Sequence, residues 1–576
     1  MIEQLPALIP VSLLIFALLG LMAALWRASV GYVVCLTGAG VAFLASMAGL
    51  LHVATVGEIR YEMGGWAPPI GIEYVMDTMG AYMTAIILSI GLLAMIYAPR
   101  TLRREVPSKE LYIYPTTLLL LAGLVGMALT GDVFNLYVFI EIASLAAYAL
   151  LGIGHRRAPL AVFRYLLIGA VGGGFYLLGV AFLYYSVGTL NMADLMERLP
   201  EIYEQRSVMW AAILMTMGLG LKAALFPMHY WMPDVYTYGP SASTALIAPV
   251  MTKVYAFVLL RIYRDVFTFD YVAGVIPLAD IVAWLAAVGI IYASVVAIAQ
   301  TDFRRMLAYS SVGQIGYIAL GIGLANPFGI IGALLHMVNH AFMKACLFLI
   351  AGALRERGKE MDMPTFVGMA RERPWTAAAF WLAVLAMVGI PPTAGFFSKW
   401  YLLLGTVDAG AWVFFAVIIA SSLLSAVYFF RVAEMAIAEK GDQTPSLAGA
   451  MGGRGEAEPP PPGPWAGRWL PAAEPALAGA MASGAGESGH HAAAGGSGAA
   501  GGGHAAAHGG PDDHGEPVVP GVPHRGDHPA DKWPELPASL FWPIAVTAAL
   551  TVILGLVNMV IVTWVLDPAV AMLGGR

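Results

Sequence analysis

The sequence predicts an all-α polytopic membrane protein with about fourteen transmembrane helices. Of its 576 residues, 59% are hydrophobic and only 12% are charged, whereas a soluble protein carries about a quarter charged residues. The mean hydropathy is +0.74, and the apolar residues occur in runs long enough to cross a hydrocarbon layer of about 30 Å. The composition excludes a soluble domain, and the net charge of −6 gives no indication of a nucleic-acid partner.

The apolar runs define fourteen predicted spans, with ends accurate to a few residues. They cover residues 5–26, 30–52, 74–98, 111–130, 132–154, 158–186, 208–226, 241–264, 272–300, 304–324, 328–353, 375–404, 410–438 and 539–566. The first run lacks a preceding basic segment and a clear cleavage motif, so we interpret it as a retained helix rather than a signal peptide. Lysines and arginines concentrate in one set of alternate loops, which predicts that both termini lie outside and those loops lie in the cytoplasm.

Residues 439–538 differ in composition from the rest of the chain. They separate a transmembrane domain at 1–438 from a last helix and short tail at 539–576, and they are rich in Gly, Ala and Pro. Such a segment cannot bury enough apolar surface to offset its chain entropy, so we expect a disordered cytoplasmic insert. Seven of the twelve histidines lie in it: His490, His491, His504, His508, His514, His524 and His528. Weak metal capture and a solvated linker both remain open, although the regular spacing typical of a metal site is missing.

Glu141 is the first unexpected residue, because it lies in the middle of the fifth predicted span. A charged side chain at the centre of a membrane costs about 2.5–3.5 kcal/mol on insertion scales. Tyr137, Ser144 and Tyr148 are spaced so that they share one helix face with it. We interpret Glu141 as a proton-handling or ion-pairing group; the alternative is a structural carboxylate that joins two helices by hydrogen bonds.

Lys222 and Lys253 lie in the seventh and eighth spans. Lys253 is too far from either end to snorkel to the membrane surface, and a buried lysine releases its proton more readily because burial disfavours the charged form. These features favour a proton relay at Lys253. Lys222 is nearer the cytoplasmic end, so snorkelling remains an alternative for it. Pro227 follows shortly after and predicts a break in the seventh helix, and irregular backbone at that depth is tolerated only beside protein or water.

The twelfth span repeats this pattern, with a break at Pro391–Pro392 followed by Lys399. Two broken spans of opposite direction, five apart and each bearing a lysine, predict a pair of inverted five-helix repeats.

Between the two breaks, His336, His340 and Lys344 recur at four-residue intervals and share one helix face. Two histidines at this spacing can bind zinc, but no third ligand is evident. A proton wire fits better, since imidazole titrates near neutrality; a packed polar seam remains the alternative.

No cofactor or metal is expected in this chain. Cys35 and Cys346 both lie in apolar runs, which argues against a disulfide framework or a cysteine-based metal site. Glu73 and Asp77, at the outer edge of the third span, could line a cation entrance or simply start a helix.

The sequence resembles the antiporter-like subunits shared by Mrp-type cation/proton antiporters, respiratory complex I and membrane-bound hydrogenases. The matching segments are "GDVFNLYVFIEI", "LKAALFPMHYWMPDVY", "PSASTALIAPVMTKVYAFVLLR", "FRRMLAYSSVGQIGY", "LHMVNHAFMKACLFLIAG" and "GIPPTAGFFSKW". Within that group it is most similar to the D subunits of the Mrp antiporters, on "GGWAPPIGIEYVMD" and "VGTLNMADL".

The resemblance implies a fold of fourteen helices with two inverted five-helix repeats and broken seventh and twelfth helices. It also implies roles for six residues: Glu141 and Lys222 as a switch pair, Lys253 as the central relay, His336 and Lys344 as the connecting wire, and Lys399 as the exit.

The implied function is that of a proton-translocating, non-enzymatic subunit of a multisubunit sodium (or other monovalent cation)/proton antiporter in a bacterial or archaeal-type cell membrane. Its partners would be other membrane subunits, protons, the cation and the lipid bilayer. The alternative is a proton-pumping subunit of a complex I-like oxidoreductase or a membrane-bound hydrogenase. In that case the redox groups would belong to partner subunits, since the chain has no iron–sulfur cysteine set or dinucleotide-binding fingerprint.

Overall fold

A computed structural model of the chain describes residues 2–107, 109–154, 157–355, 361–438 and 535–567. The predicted insert, with its seven histidines, lies outside the described residues apart from its last few positions.

The described residues are almost entirely helical. We number the helices in chain order: α1 Leu5–Trp26, α2 Ala28–Thr55, α3 Thr78–Glu105, α4 Glu110–Leu129, α5 Val133–Gly152, α6 Ala158–Val187, α7 Met192–Arg198, α8 Arg206–Lys222, α9 Trp231–Tyr238, α10 Ser241–Asp265, α11 Leu278–Ile298, α12 Phe303–Gly323, α13 Pro327–Leu354, α14 Met369–Glu372, α15 Pro374–Val388, α16 Ala394–Asp408, α17 Trp412–Ile437, α18 Ala538–Leu556 and α19 Asn558–Ile561. Eleven helices in this part of the chain are long and apolar enough to cross a membrane. Each of the fourteen predicted spans corresponds to one or two of the numbered helices, so the all-α polytopic fold is confirmed.

The predicted start of the third span was wrong. Residues Glu73–Met76 form a fully buried strand, β2, which pairs antiparallel with β1, Ile59–Glu62. Helix α3 begins only at Thr78, where the Asp77 side chain accepts a hydrogen bond from the Gly80 amide. The error has a simple cause, because a short buried apolar strand and the first turn of a buried helix have the same hydropathy.

The seventh and twelfth helices are broken, as predicted. Near the end of the seventh span, α8 stops at Lys222, and α9 begins beyond the span at Trp231. The indole nitrogen of Trp231 donates to the carbonyl of Leu221 at 3.1 Å. In the twelfth span, α15 is followed by Gly389, which has a left-handed conformation with φ of 91°. Each break therefore leaves helix-end carbonyls without a helical partner at a depth where the surrounding lipid offers no donor.

Helices α10 and α13 form the centre of the bundle. The membrane-spanning part of α10 is completely buried and that of α13 is 94% buried, compared with 33% for α1, α2 and α17. The two central helices carry Lys253 and the seam of His336, His340 and Lys344. These four polar side chains thus lie in the most enclosed part of the fold rather than on its surface.

The last described span packs directly on the second break. Gly555 of α18 lies against the backbone of residues 392–394 so closely that any side chain at position 555 would overlap the Pro392 carbonyl oxygen. Gly40 of α2, by contrast, faces open space, with no atom within 4 Å of an added Cβ. The two glycines are therefore a matched pair for testing this contact.

We expect Gly555→Ala to destabilise the protein by about 1–3 kcal/mol, because backbone atoms of the break must move to admit the methyl group. Gly40→Ala should be neutral or slightly stabilising, since alanine is the better helix former. Thermal unfolding of the detergent-solubilised protein measures both. Equal melting temperatures for the two variants would contradict the contact between α18 and the break.

Candidate functional site

Glu141 and Lys222 form an ion pair inside the membrane-spanning region. The Lys222 ammonium lies 3.4 Å from Glu141 Oε1 and donates to the Ser144 hydroxyl at 2.7 Å. Only 1% of the Lys222 side chain is exposed, so the snorkelling alternative for this residue was wrong, whereas 30% of the Glu141 side chain reaches the surface of the chain. The carboxylate joins α5 to α8 beside the break that follows Lys222.

Glycines of α6 make room for this pair. A Cβ on Gly173 would overlap Glu141 Oε1, and one on Gly169 would overlap the Tyr148 hydroxyl and lie 3.8 Å from the Lys222 ammonium. Glycine is poorly suited to a helix interior on conformational grounds, so its use here has a spatial reason. The α6 backbone approaches α5 closely enough to form one wall of the site.

Hydroxyl groups extend from Lys222 toward the centre of the bundle. Ser144, which accepts from Lys222, lies 3.1 Å from the hydroxyl of Tyr255, and Tyr255 is on α10, the helix that carries Lys253. The Ser144–Tyr255 contact therefore connects the ion pair to the central helix.

Lys253 and Lys344 are completely buried and interact with backbone oxygens rather than with acids. Lys253 donates to the Ala248 carbonyl at 2.7 Å and lies 3.4 Å from the Thr252 hydroxyl. Lys344 donates to the Leu307 carbonyl at 2.7 Å. In the described parts of the chain, neither lysine forms an ion pair with a carboxylate, in contrast to Lys222.

His336 is held by two side chains. Its Nε2 is 2.8 Å from Gln314 Oε1 and its Nδ1 is 2.9 Å from the Ser398 hydroxyl, so that each ring nitrogen has a hydrogen-bonding partner. His340 stacks parallel to it at 5.8 Å between ring centroids. Both His340 nitrogens are buried and make no hydrogen bond to any described residue.

Lys399 lies at the second break. Its ammonium donates to the carbonyls of Met387 and Val388, at 3.1 and 2.9 Å, and to the Ser422 hydroxyl at 3.2 Å. The two carbonyls are those that the end of α15 leaves without a helical partner. The ammonium also lies 5.3 Å from the centre of the Tyr317 ring, which in turn contacts the His336 ring at 5.4 Å.

The structure thus places four of the six predicted residues in two hydrogen-bonded or ring-contacting groups and the other two between those groups. Glu141 and Lys222 form one group, and Lys399 and His336 form the other through Tyr317 and Ser398. Lys253 and Lys344 lie between them, and no described hydrogen bond joins either lysine to the two groups.

Sequence reasoning missed several polar neighbours, namely Tyr255, Gln314, Tyr317 and Ser398. Ser398 precedes Lys399, which was the one available signal; the others lie in spans of apolar character. No group of three metal-ligating side chains occurs in the described regions, so the zinc interpretation of His336 and His340 has no geometric support.

The carboxylates of Asp77 and Glu73 form ion pairs with arginine side chains. Asp77 Oδ1 accepts from Arg261 at 3.0 Å and Oδ2 from Arg264 at 2.9 Å, while Glu73 binds Arg60 at 3.2 Å. Burial alone would raise the pKa of Asp77, but the two guanidinium groups outweigh it and hold that pKa below the usual aspartate value. Asp77 is the helix-start residue of α3, as one of the two interpretations predicted, and it also borders a cavity of about 240 Å³.

Comparison with known proteins identifies the family. Residues 130–425, which contain all six predicted residues and both helix breaks, match the family described as "NADH:quinone oxidoreductase/Mrp antiporter, TM". The chain belongs to this family.

Two relatives with different names resemble the chain. It is 49% identical over 377 residues to the N subunit of NADH-quinone oxidoreductase from Desulforudis audaxviator, a match that covers 66% of this chain and 75% of the relative. It is 32% identical over 372 residues to the D subunit of an Na⁺/H⁺ antiporter from Alkalihalophilus pseudofirmus, covering 64% and 74%. The predicted relation to the D subunits of Mrp-type antiporters is therefore confirmed, and a relation to an oxidoreductase subunit stands beside it.

Two solved assemblies contain chains of the same fold. The Mrp complex from Dietzia sp. has a chain that superimposes with a TM-score of 0.76 at 24% identity, over 99% of this chain and 97% of that one. The membrane-bound sulfane sulfur reductase, an archaeal respiratory membrane complex, has a chain with a TM-score of 0.71 at 29% identity, over 78% and 91%. Both are multisubunit membrane complexes, which supports other membrane subunits as partners of a family member.

A double-mutant cycle tests the ion pair without any assumption about transport. We expect Glu141→Gln to destabilise the protein because it leaves Lys222 buried without its carboxylate, and Glu141→Gln combined with Lys222→Met to recover part of that loss. The coupling between the two positions should be about 0.5–3 kcal/mol, measured by unfolding of the solubilised protein. Strictly additive effects would mean that the two side chains do not interact.

Proposed function

We propose that this chain is the proton-translocating subunit of a multisubunit antiporter that exchanges sodium, or another monovalent cation, for protons. The observation that carries the proposal is the Glu141–Lys222 ion pair inside the membrane, followed by Lys253, Lys344 and Lys399, which are buried without a carboxylate partner in the described parts of the chain. The relatives named as Na⁺/H⁺ antiporter subunits support the same assignment.

The ion pair works as an electrostatic switch. A carboxylate close to an ammonium stabilises its charged form, and separation of the two removes that stabilisation, so that the proton moves to the next acceptor. Ser144 and Tyr255 lie on the side of Lys222 that leads to the central helix. Because Lys253 and Lys344 are bound by single carbonyls, they can gain and lose a proton without breaking a second ion pair.

At the far end, Lys399 releases the proton next to a break in the backbone. Its ammonium is held by two carbonyls and a hydroxyl, and both Lys399 and His336 contact the Tyr317 ring. A neutral imidazole can accept a proton at one nitrogen and donate one at the other. His336 and His340 are therefore the groups that connect the central lysines to Lys399.

A second candidate is a proton-pumping subunit of a redox complex. It is favoured by the relative named as the N subunit of NADH-quinone oxidoreductase, at 49% identity. In this case the same side chains would carry the proton, and electron transfer in partner subunits would drive the switch instead of a cation gradient.

The deciding experiment expresses the chain with its neighbouring genes in an antiporter-deficient bacterium. Everted membrane vesicles are energised by respiration, sodium is added, and collapse of the pH gradient is followed by a fluorescent dye. We expect collapse with the wild-type chain and its loss with Glu141→Ala and with Lys253→Ala, because each substitution interrupts the proton route. Complex assembly is verified for every variant.

The outcomes separate the candidates. If sodium has no effect but addition of an electron donor causes proton pumping, the chain is a subunit of a redox complex. Collapse that persists in both assembled variants would leave the fold intact and eliminate the relay.

Two adjacent glycines allow a test of the switch that leaves Glu141 and Lys222 in place. Gly173→Ala pushes the flexible Glu141 carboxylate away from Lys222, whereas position 174 faces open space. We expect Gly173→Ala to reduce the transport rate by about ten- to hundredfold, since a misplacement of about 1 Å can cost up to about a hundredfold, and Gly174→Ala to leave it unchanged. The rate per assembled complex is the relevant measure. A similar loss in both variants would attribute the effect to α6 itself rather than to the carboxylate.

A further inference from the structure

Both ends of α10, the helix that carries Lys253, are bound by side chains of the same neighbouring helix region, α3 and the residue that starts it. Helix α10 runs from Ser241 to Asp265, so Lys253 lies twelve residues from either end, or about 18 Å at 1.5 Å per residue. Every residue of α10 from Ser241 to Tyr263 is buried. Helix α3 packs against it in the opposite direction, because the start of α3 lies beside the end of α10.

At the outer end, the tie is a cluster of two acids and two arginines. Asp77, the residue that starts α3, binds Arg261 and Arg264 of α10 with one oxygen each. Both arginines also bind Asp265, at 3.1 and 2.5 Å, and Arg261 donates to the Ala128 carbonyl at the end of α4 at 3.1 Å. At most 18% of any of these four side chains is exposed.

At the inner end, the tie is a carboxylate that caps a helix. Glu105 is the last residue of α3, and its Oε2 accepts from the Ser241 amide at 2.7 Å while its Oε1 accepts from the Ser241 hydroxyl. The first amides of a helix have no partner inside the helix, and an anion is favoured there by the helix dipole. Because the Ser241 hydroxyl and amide both bind Glu105, the start of α10 is fixed to the end of α3.

We infer that Asp77 and Glu105 are positioning residues that hold α10, and with it Lys253, at a fixed depth and rotation in the membrane. We call the two ties the α3–α10 clamp. The inference rests on the proposed proton-transfer role of Lys253.

The clamp matters because a small movement of α10 would misplace Lys253. A shift of one residue in register moves its Cα by about 1.5 Å along the helix and rotates it by about 100°. Either change would move the ammonium relative to α13, which packs against α10 and carries the histidine seam. Lys222 and Lys399, by contrast, lie on half-helices that end or begin at a break. The chain therefore combines a lysine in the middle of an unbroken, buried helix with two lysines that lie beside a break.

The first experiment measures exposure and needs no transport. Lys253→Cys is introduced into the complete complex, and its reaction with a membrane-impermeant maleimide is measured in vesicles of both orientations; the chain without Lys253→Cys gives the background from Cys35 and Cys346. We expect Asp77→Asn or Glu105→Gln to raise the labelling rate at position 253 by about tenfold. Asp77→Asn leaves two buried arginines without their shared anion, and Glu105→Gln removes the charge that caps the start of α10, so each change favours local opening.

The matched control is Glu58→Gln, which removes a carboxylate that is half exposed, pairs with Arg60 and borders the same outer cavity without an ion pair to α10. It should leave labelling unchanged. Equal labelling in all backgrounds would overturn the clamp. If Asp77→Asn prevents assembly, Arg264→Gln weakens the same tie while keeping the Arg261 ion pair, and it is interpreted in the same way.

The second experiment measures transport with Lys253 in place. Asp77→Asn and Glu105→Gln should each lower the rate per assembled complex by about tenfold and change the shape of its pH profile, since Lys253 would meet a different environment. A merely structural role would reduce the amount of complex but leave the rate per complex and its pH profile unchanged, and that result would overturn the inference. If the wild-type complex responds to neither sodium nor an electron donor, the proposed function fails, while the labelling experiment still decides the clamp.

Discussion

Each buried charge in this bundle must be compensated by a polar group of the protein, because the hydrocarbon around it offers none. Lys222 is compensated by Glu141 and Ser144. Lys253, Lys344 and Lys399 are compensated by backbone carbonyls. Glycines in α6 leave space for the Glu141–Lys222 pair. The second break supplies the carbonyl oxygens that bind the Lys399 ammonium.

The two breaks meet the requirement differently, although they look alike in sequence. In the first, the neutral indole of Trp231 binds the carbonyl of Leu221, and Lys222 is turned toward Glu141. In the second, Lys399 itself binds the carbonyls at the helix end, and Gly389 leaves room for its side chain. A charged ammonium binds a carbonyl more strongly than a neutral amine does. The carbonyls at the second break are therefore bound more strongly when Lys399 is protonated, whereas the Leu221 carbonyl at the first break is bound by a neutral donor.

Much of this could be predicted from sequence because the signals are local. Spans follow from runs of apolar residues, the breaks from Pro227 and Pro391–Pro392, and the burial of Lys253 from its distance to the span ends. The contacts that fix the site are not local. Asp77 and Arg261 are 184 residues apart, and Glu105 and Ser241 are 136 apart, so no pattern within a span indicates that they meet. Strand β2 was missed because hydropathy has no preference between a strand and a helix of four residues.

The distance between Glu141 and Lys222 along the chain has a consequence for biosynthesis. The two residues are separated by 81 positions, so at about 5–20 residues per second the ribosome adds the lysine roughly 4–16 s after the glutamate. During that interval the fifth span enters the membrane without its counter-ion. A protonated, uncharged carboxyl group is the form that hydrocarbon tolerates best. The ion pair can therefore form only after α8 has been synthesised and has docked against α5, which enters the membrane before it.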